Sequence, residues 1–382
     1  MKNKFKIILI NMLILFLILL IIDPLVGYFI LHQTNTDYIK RNIILKENLP
    51  YQDTMVKPSK SELLSTQNLE EKNYKFRTDS NGFIIGPNST DSTVDIIFFG
   101  GSTTECRYVD EVLRWPYLVS QFLVDQSGQQ INTMNAGVSG NDSMHSTLNL
   151  IAKGLNCKPK IVVLMNNIND LSNLIKTGSY WKSPPSRAII QEEKANNKKE
   201  LTIVFLRAAK NLAIPNIYGG VRGFLKNISE KLKSNSSPYD EWVDFRSINL
   251  KPEDFIKIQN QYKSSLLSFV NIAKSWGIEP ILMTQFNRLN TNDTFIKMNY
   301  SESSNGISYE DFVKYYDIFN EIVRDIAKNE NCILIDLANE IPSTSKYIYD
   351  AVHVNNEGSV LVAKIISKTI SEKFNFYKLK TE

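Results

Sequence analysis

The chain has 382 residues, of which 43% are hydrophobic and 22% charged, and its formal net charge is +4. Three of the positive charges are Lys2, Lys4 and Lys6, so the remainder is close to neutral and nucleic acid is not an expected partner. The three cysteines, Cys106, Cys157 and Cys332, cannot all pair within one chain, and no C-x-x-C spacing suggests a metal site.

Phe5 to Ile22 is apolar except for Lys6 and Asn11; Asp23-Pro24 interrupts the run, and Leu25 to Leu31 resumes it. About 18 apolar residues suffice to cross a bilayer, and the lysines before them orient the N-terminus to the cytoplasm. No small-x-small cleavage site follows Ile22, so residues 1–31 read as an uncleaved, single-pass membrane anchor rather than a signal peptide. The bulk of the chain is then expected on the extracytoplasmic side, in a periplasm or on the outer surface. Residues 32–75 are polar without sustained period and read as a stalk or lead-in, with room for a short helix. A turn signal follows at Asn81-Gly82.

From Val94 the pattern alternates between strand and helix. Asp95 to Phe99 reads as a strand buried on both faces, residues 112–126 as a helix, and Ile131 to Asn135 as a weaker strand. Residues 143–154 form a helix, and Ile161 to Met165 a strong third strand. Residues 252–276 follow as a long amphipathic helix, with Pro252 near its start and Gly277 at its end. Ile281 to Thr284 is a fourth strand, 309–328 a helix, Cys332 to Asp336 a fifth strand, and Glu357 to Lys373 the closing helix. Strands separated by helices predict a three-layer α/β/α domain over 76–375, with a mostly parallel sheet of about five strands. Residues 178–250 exceed a minimal domain of this kind. They read as an insertion, with a helix near 200–212 and a loop near 233–240, emerging either as a cap over the site or as a solvated excursion.

Four short blocks carry the chemistry. Phe99-Gly100-Gly101-Ser102-Thr103-Thr104 offers a nucleophile on a tight turn. Asn135-Ala136-Gly137-Val138-Ser139-Gly140 offers a backbone N–H to an oxyanion, from Gly140 or Gly137. Asn167-Ile168-Asn169-Asp170 offers a side-chain amide donor, with Asn166 and Asn167 as competitors to Asn169. Asp350-Ala351-Val352-His353 offers a base with an orienting carboxylate. Of the other histidines, His32 lies at the expected membrane exit, and His145 reads as a partly exposed helix residue. Cys106 reads as packing in the first turn after Ser102, and Cys157 and Cys332 as buried small hydrophobes rather than as the disulfide an oxidising compartment would allow.

Together, and in this order, the blocks resemble those of the SGNH (GDSL-like) hydrolases over roughly residues 76–373. The resemblance implies a flavodoxin-like three-layer fold and a catalytic set of Ser102, Asp350 and His353. It implies an oxyanion hole of the Ser102 N–H, the Gly140 N–H and the Asn169 amide, and it requires neither metal nor redox cofactor. Two departures stand out: Gly101 occupies the aspartate position of Gly-Asp-Ser, and Asn167 the glycine position of Gly-x-Asn-Asp. The implied activity is ester hydrolysis through an acyl-enzyme, removing an acetyl or other small acyl group from a cell-envelope glycan or lipid. O-acyl transfer onto an extracytoplasmic polysaccharide and a non-catalytic scaffold are the alternatives. Oligomeric state is not legible in the sequence.

Overall fold

The computed structural model describes residues 6, 9–14, 16–18, 39–87, 94–127, 131–184, 186–194, 252–290, 292–300 and 306–374. The chain divides into two units: Met1–Ile43 with Ile190–Asn235, and Ile44–Ile189 with Ser236–Glu382. In the first, Ile39–Ile43 pairs antiparallel with Ile190–Lys194. Among the described residues no helix is long and apolar enough to cross a membrane; most of the expected anchor over 1–31 lies outside them. The helix expected at 200–212 and the loop expected at 233–240 also lie outside the described residues.

The second unit is built on a five-stranded parallel sheet: β1 (Ile96–Gly100), β2 (Thr133–Gly137), β3 (Ile161–Met165), β4 (Glu279–Met283) and β5 (Ile333–Ile335). Their order across the sheet is β2-β1-β3-β4-β5, the doubly wound order whose direction reverses between β1 and β3. Ligands bind in such sheets outside the carboxyl ends of the strands, at that reversal.

The continuous apolar run of β1 is explained by cover on both faces. Alternate side chains of a strand point to opposite faces. Ile97 and Phe99 accordingly enter one core with Leu171, Tyr262 and Phe319, while Ile96 and Phe98 enter another with Trp115, Val119 and Ile366. Phe99 meets the Phe269 ring edge-on at 5.6 Å, and Phe98 meets Trp115 edge-on at 4.9 Å. Each fully buried phenylalanine contributes about 2 kcal/mol of burial. The covering helices are α1 (Trp115–Ser127), α2 (Ser143–Asn149), α3 (Ile168–Thr177), α4 (Pro252–Ser275), α5 (Tyr309–Asn329) and α6 (Asn356–Lys373). α1 and α6 cover one face; α3, α4 and α5 cover the other. The long α4 ends as its sequence predicts. Gly277 takes φ +69°, and the Ile278 N–H donates back to Ala273 O at 3.0 Å.

Two expectations need correction. The lead-in is not a simple stalk, because the second unit begins at Ile44. Within it Asp53–Val56 pairs antiparallel with Tyr74–Arg77, with a short helix, Lys60–Leu64, between them. The pattern is hidden because the Asp53–Val56 strand lies at the surface and buries no side chain. The second strand starts two residues later than expected and runs on to Gly137; its Asn135 is buried because its side chain bonds the nucleophile turn. No correction falls on the cysteines: all three are free thiols. Cys157 Sγ faces Lys153 O, and Cys332 Sγ faces Glu330 O.

Candidate active site

β1 ends at Gly100, and Gly101 caps a one-turn helix, Ser102–Glu105, that Cys106 closes with φ 53°. The turn leaves Ser102 half-exposed at the carboxyl end of the sheet while Thr103, Thr104 and Glu105 are buried. Gly101 has a steric reason: a Cβ there would lie 2.3 Å from Asn169 Nδ2. Glycine at this position therefore lets the Asn169 amide close on the nucleophile turn. Cys106 packs in this turn as expected. Its Sγ–H donates to Thr103 O at 3.3 Å, and burial pushes the thiol up to about 12, which leaves no thiolate at neutral pH.

The base comes from the loop between β5 and α6, some 250 residues away. His353 Nε2 lies 2.7 Å from Ser102 Oγ, and His353 Nδ1 lies 2.7 Å from Asp350 Oδ2. The loop is fixed locally. Asp350 Oδ1 accepts the Val352 and His353 N–H groups at 2.9 and 2.8 Å, and the Arg288 N–H and guanidinium hold Ala351 O and Ile348 O. The Tyr349 ring lies nearly parallel to the imidazole, 5.7 Å away. Burial works against charge on His353, but the Asp350 carboxylate outweighs it and raises the imidazole above its ordinary range. Burial likewise opposes ionisation of Asp350. The facing imidazole and the two backbone N–H groups reverse that and hold the carboxyl below its usual range.

The oxyanion side lies across the reversal point. Gly140 has φ +77°, a backbone conformation that costs a side-chain-bearing residue energy. Its N–H has no acceptor among the described residues. Gly137, the competitor, donates its N–H to Asn135 Oδ1 at 2.9 Å and is thereby committed. Asn169 Nδ2 donates to Asn141 O at 2.8 Å, which orients the amide and leaves its second hydrogen for a ligand. Asn166 and Asn167 are buried in the scaffold. Asn166 Nδ2 donates to Asn141 O and Asn167 Nδ2 to Tyr316 O, both at 3.0 Å. The structure thus brings together Ser102, His353 and Asp350, and sets Asn169 beside the turn that carries Ser102.

Several supporting residues escape sequence reasoning. Gln285, at the end of β4, donates from Nε2 to Thr103 Oγ1 at 2.7 Å and accepts the Ile168 N–H on Oε1 at 2.8 Å. It ties the nucleophile turn to the start of α3, the helix that carries Asn169. Glu105 is 1% exposed; burial raises its carboxyl above the ordinary range, and the neighbouring Ser139 partly offsets that. The nucleophile turn thus sets a buried carboxyl beside the residue before Gly140. His145 is not partly exposed, as its place on a helix suggested, but 1% exposed. It stands in the first turn of α2, where Nδ1 meets Asp142 Oδ1 at 2.6 Å and Nε2 meets Arg187 O at 3.0 Å.

Behind Asn169, Asp170 is fully buried and accepts from the Ser143 N–H, the Ser143 hydroxyl and the Tyr180 hydroxyl. Burial, with the Asp142 carboxylate nearby, pushes it up to about 7. Between the ordinary carboxyl range and about 7, the unfolded chain releases a proton that the folded chain retains, so stability falls as pH rises through that window and then levels off. Asp170→Asn preserves the acceptor oxygen and removes the titration. Melting temperatures from pH 4 to 8 should fall in the wild type and run flatter in the variant. Parallel curves would show that Asp170 does not titrate there.

Among the described residues, no group of three or more His, Cys, Asp or Glu could hold a metal ion. No protein-family model matches the chain, and no curated protein matches it in sequence. Among solved structures, the chain is similar to LAE5, an alpha/beta hydrolase enzyme from the metagenome of Lake Arreo, Spain. The identity is 13%, the coverage 74% of this chain and 97% of that one, and the TM-score 0.43. It is similar also to Axe2, an acetylxylan esterase from Geobacillus stearothermophilus, at 17% identity, 73% and 94% coverage and a TM-score of 0.41. A third, the acetyl xylan esterase AlAXEase, is 16% identical, with 72% and 100% coverage and a TM-score of 0.41.

Proposed function

We propose that the chain is a serine esterase of the SGNH type that removes a small acyl group, such as acetyl, from a cell-envelope glycan or lipid. The observation that carries this reading is the continuous Ser102 Oγ–His353 Nε2 and His353 Nδ1–Asp350 Oδ2 contact, each at 2.7 Å. Nucleophile, base and orienting carboxylate are in hydrogen-bond reach without rearrangement.

In the reaction, His353 Nε2 takes the Ser102 hydroxyl proton as Oγ bonds to the ester carbonyl carbon. The negative charge that develops on the carbonyl oxygen is met by the Ser102 and Gly140 N–H groups and the Asn169 amide. Protonated His353 then gives its proton to the alcohol oxygen as the C–O bond breaks, leaving acyl-Ser102. Water, deprotonated by His353, attacks that ester; the carboxylic acid leaves and Ser102 regains its proton.

A glycan hydroxyl in place of water turns the same cycle into O-acyl transfer. The test is a small acetyl ester incubated with the full chain, with and without an added sugar alcohol, and with Ser102→Ala as control. Acetate release that depends on Ser102 supports the esterase. Acetate release suppressed in favour of acetylated sugar supports transfer. Turnover equal in the Ser102→Ala variant would sink both.

The N-terminal lysines and the apolar run from Phe5 to Ile22 support a single-pass anchor with the N-terminus in the cytoplasm and the catalytic unit outside. Retention in the membrane pellet after alkaline carbonate washing, with the catalytic unit digested by external protease in spheroplasts, is the expected result. Release by carbonate would contradict it.

A further inference from the structure

The Asn169 amide can meet an oxyanion on Ser102 only if the first turn of α3 is held at a fixed distance from the nucleophile turn. The start of that helix is not capped by its own sequence. The first N–H groups of a helix have no partner within it, and Asn167, at the N-cap position, makes no cap bond with its side chain. Its Nδ2 donates instead to Tyr316 O and Asn320 Oδ1 on α5, each at 3.0 Å. The N–H of Ile168, the first residue of α3, is taken from another element: Gln285 Oε1 accepts it at 2.8 Å.

That bond also fixes which way the Gln285 amide faces. A backbone N–H can only donate, so the atom facing Ile168 is the oxygen, and the nitrogen faces Thr103. There Nε2 donates to Thr103 Oγ1 at 2.7 Å. Thr103 follows Ser102 and Asn169 follows Ile168, so one side chain bonds the chain neighbours of both the nucleophile and the amide donor.

Gln285 is itself held firmly. Its N–H donates to Asn320 Oδ1 at 3.0 Å, its carbonyl accepts from Asn320 Nδ2 at 3.1 Å, and the Tyr316 hydroxyl lies 3.1 Å from Oε1. Gln285, Thr103, Asn167, Tyr316 and Asn320 are all buried, and a buried group that loses its partner finds no ready replacement. Asn169 is thus set from two directions. Asn141 O orients its amide at 2.8 Å, and Gln285 places the turn that carries it.

We propose that Gln285 is a positioning residue for the oxyanion hole, fixing the separation between the Ser102 turn and the Asn169 amide. This deepens the esterase reading and rests on it. Gln285 acts through Thr103 and Ile168 and not on the reacting atoms. A misplacement of about 1 Å in such a site costs on the order of 10²-fold in rate, so the effect belongs in kcat and not in KM.

The test uses the full chain in detergent with 4-nitrophenyl acetate. Gln285→Met keeps a similar volume and removes both bonds; kcat should fall about 10- to 100-fold with KM little changed. Thr103→Val cuts only the bond to the nucleophile turn and should cost about tenfold, and Thr103→Ser, which keeps the acceptor oxygen, should recover most of that loss. The decisive comparison is Asn169→Ala. It should cost about 10²- to 10³-fold in the wild type, but under about tenfold in Gln285→Met, where the amide is already displaced. A merely structural glutamine would give additive losses. Additive losses, or a raised KM at unchanged kcat, overturn the proposal. If Gln285→Met does not fold, the same cycle between Thr103→Val and Asn169→Ala decides it by the same criterion.

Amide hydrogen exchange reads the positioning without turnover. In Gln285→Met, protection should fall together at the Cys106 N–H of the nucleophile turn and at the Ile168 and Leu171 N–H groups of α3, with β1 and β3 unchanged. If the wild type cleaves no ester, the esterase reading fails, and exchange still decides whether Gln285 couples the two segments. Joint loss of protection supports the coupling; loss in one segment alone, or in neither, overturns it.

Discussion

Replacing Ser102 by alanine is expected to lower kcat for an acetyl ester by about 10⁶-fold, and His353→Ala by a similar factor. The double variant should lose no more than either single one. The reason lies in the geometry: Ser102 Oγ and His353 Nε2 share one hydrogen bond at 2.7 Å and act as a unit. Without the imidazole the hydroxyl keeps its proton; without the hydroxyl the imidazole has nothing to activate. Neither change should unfold the protein, because both side chains are partly exposed and lie outside the two apolar clusters that build the core. Additive losses in the double variant would mean that the residues act on separate steps.

Asp350→Asn should cost about 10⁴-fold in kcat. Asparagine can keep the Val352 and His353 N–H bonds through its oxygen but loses the negative charge facing His353 Nδ1. That charge sets the pH profile. Burial would depress the imidazole, and Asp350 raises it above the ordinary histidine value. His353 must be neutral to act as base, so a raised value means that activity rises with pH through a limb centred above the usual histidine range. Removing the carboxylate leaves burial opposed only by the weaker pull of Glu105 and Glu62, and the limb should move to lower pH as the maximum falls. A limb that stays in place in the variant would show that a group other than His353 controls it.

What the sequence reveals and hides follows from where the information lies. β1 and β3 are legible because they are buried on both faces and read as unbroken apolar runs. α4 is legible because Pro252 and Gly277 mark its ends. Ser102, Asn169, Asp350 and His353 are legible because each lies in a short block after a strand or before a helix, and the blocks keep a fixed order. Gln285 is hidden because its role exists only once β4 lies beside β3 and brings it to Thr103, 182 residues away. Glu105 is hidden because a glutamate in a short turn ordinarily points to solvent; here its carboxyl is buried beside Ser139. His145 is misread because helix periodicity says nothing about Arg187 O, 42 residues downstream. The Asp53–Val56 strand is hidden because, at the surface, it leaves no apolar signature.

The central claim, that Ser102 is an activated nucleophile, is tested most directly by intact mass after treatment of the full chain with a fluorophosphonate. Displacement of fluoride by Ser102 Oγ predicts one phosphonyl adduct per chain, absent from Ser102→Ala and strongly slowed in His353→Ala. No adduct on folded protein, or an adduct that persists in Ser102→Ala, would contradict it.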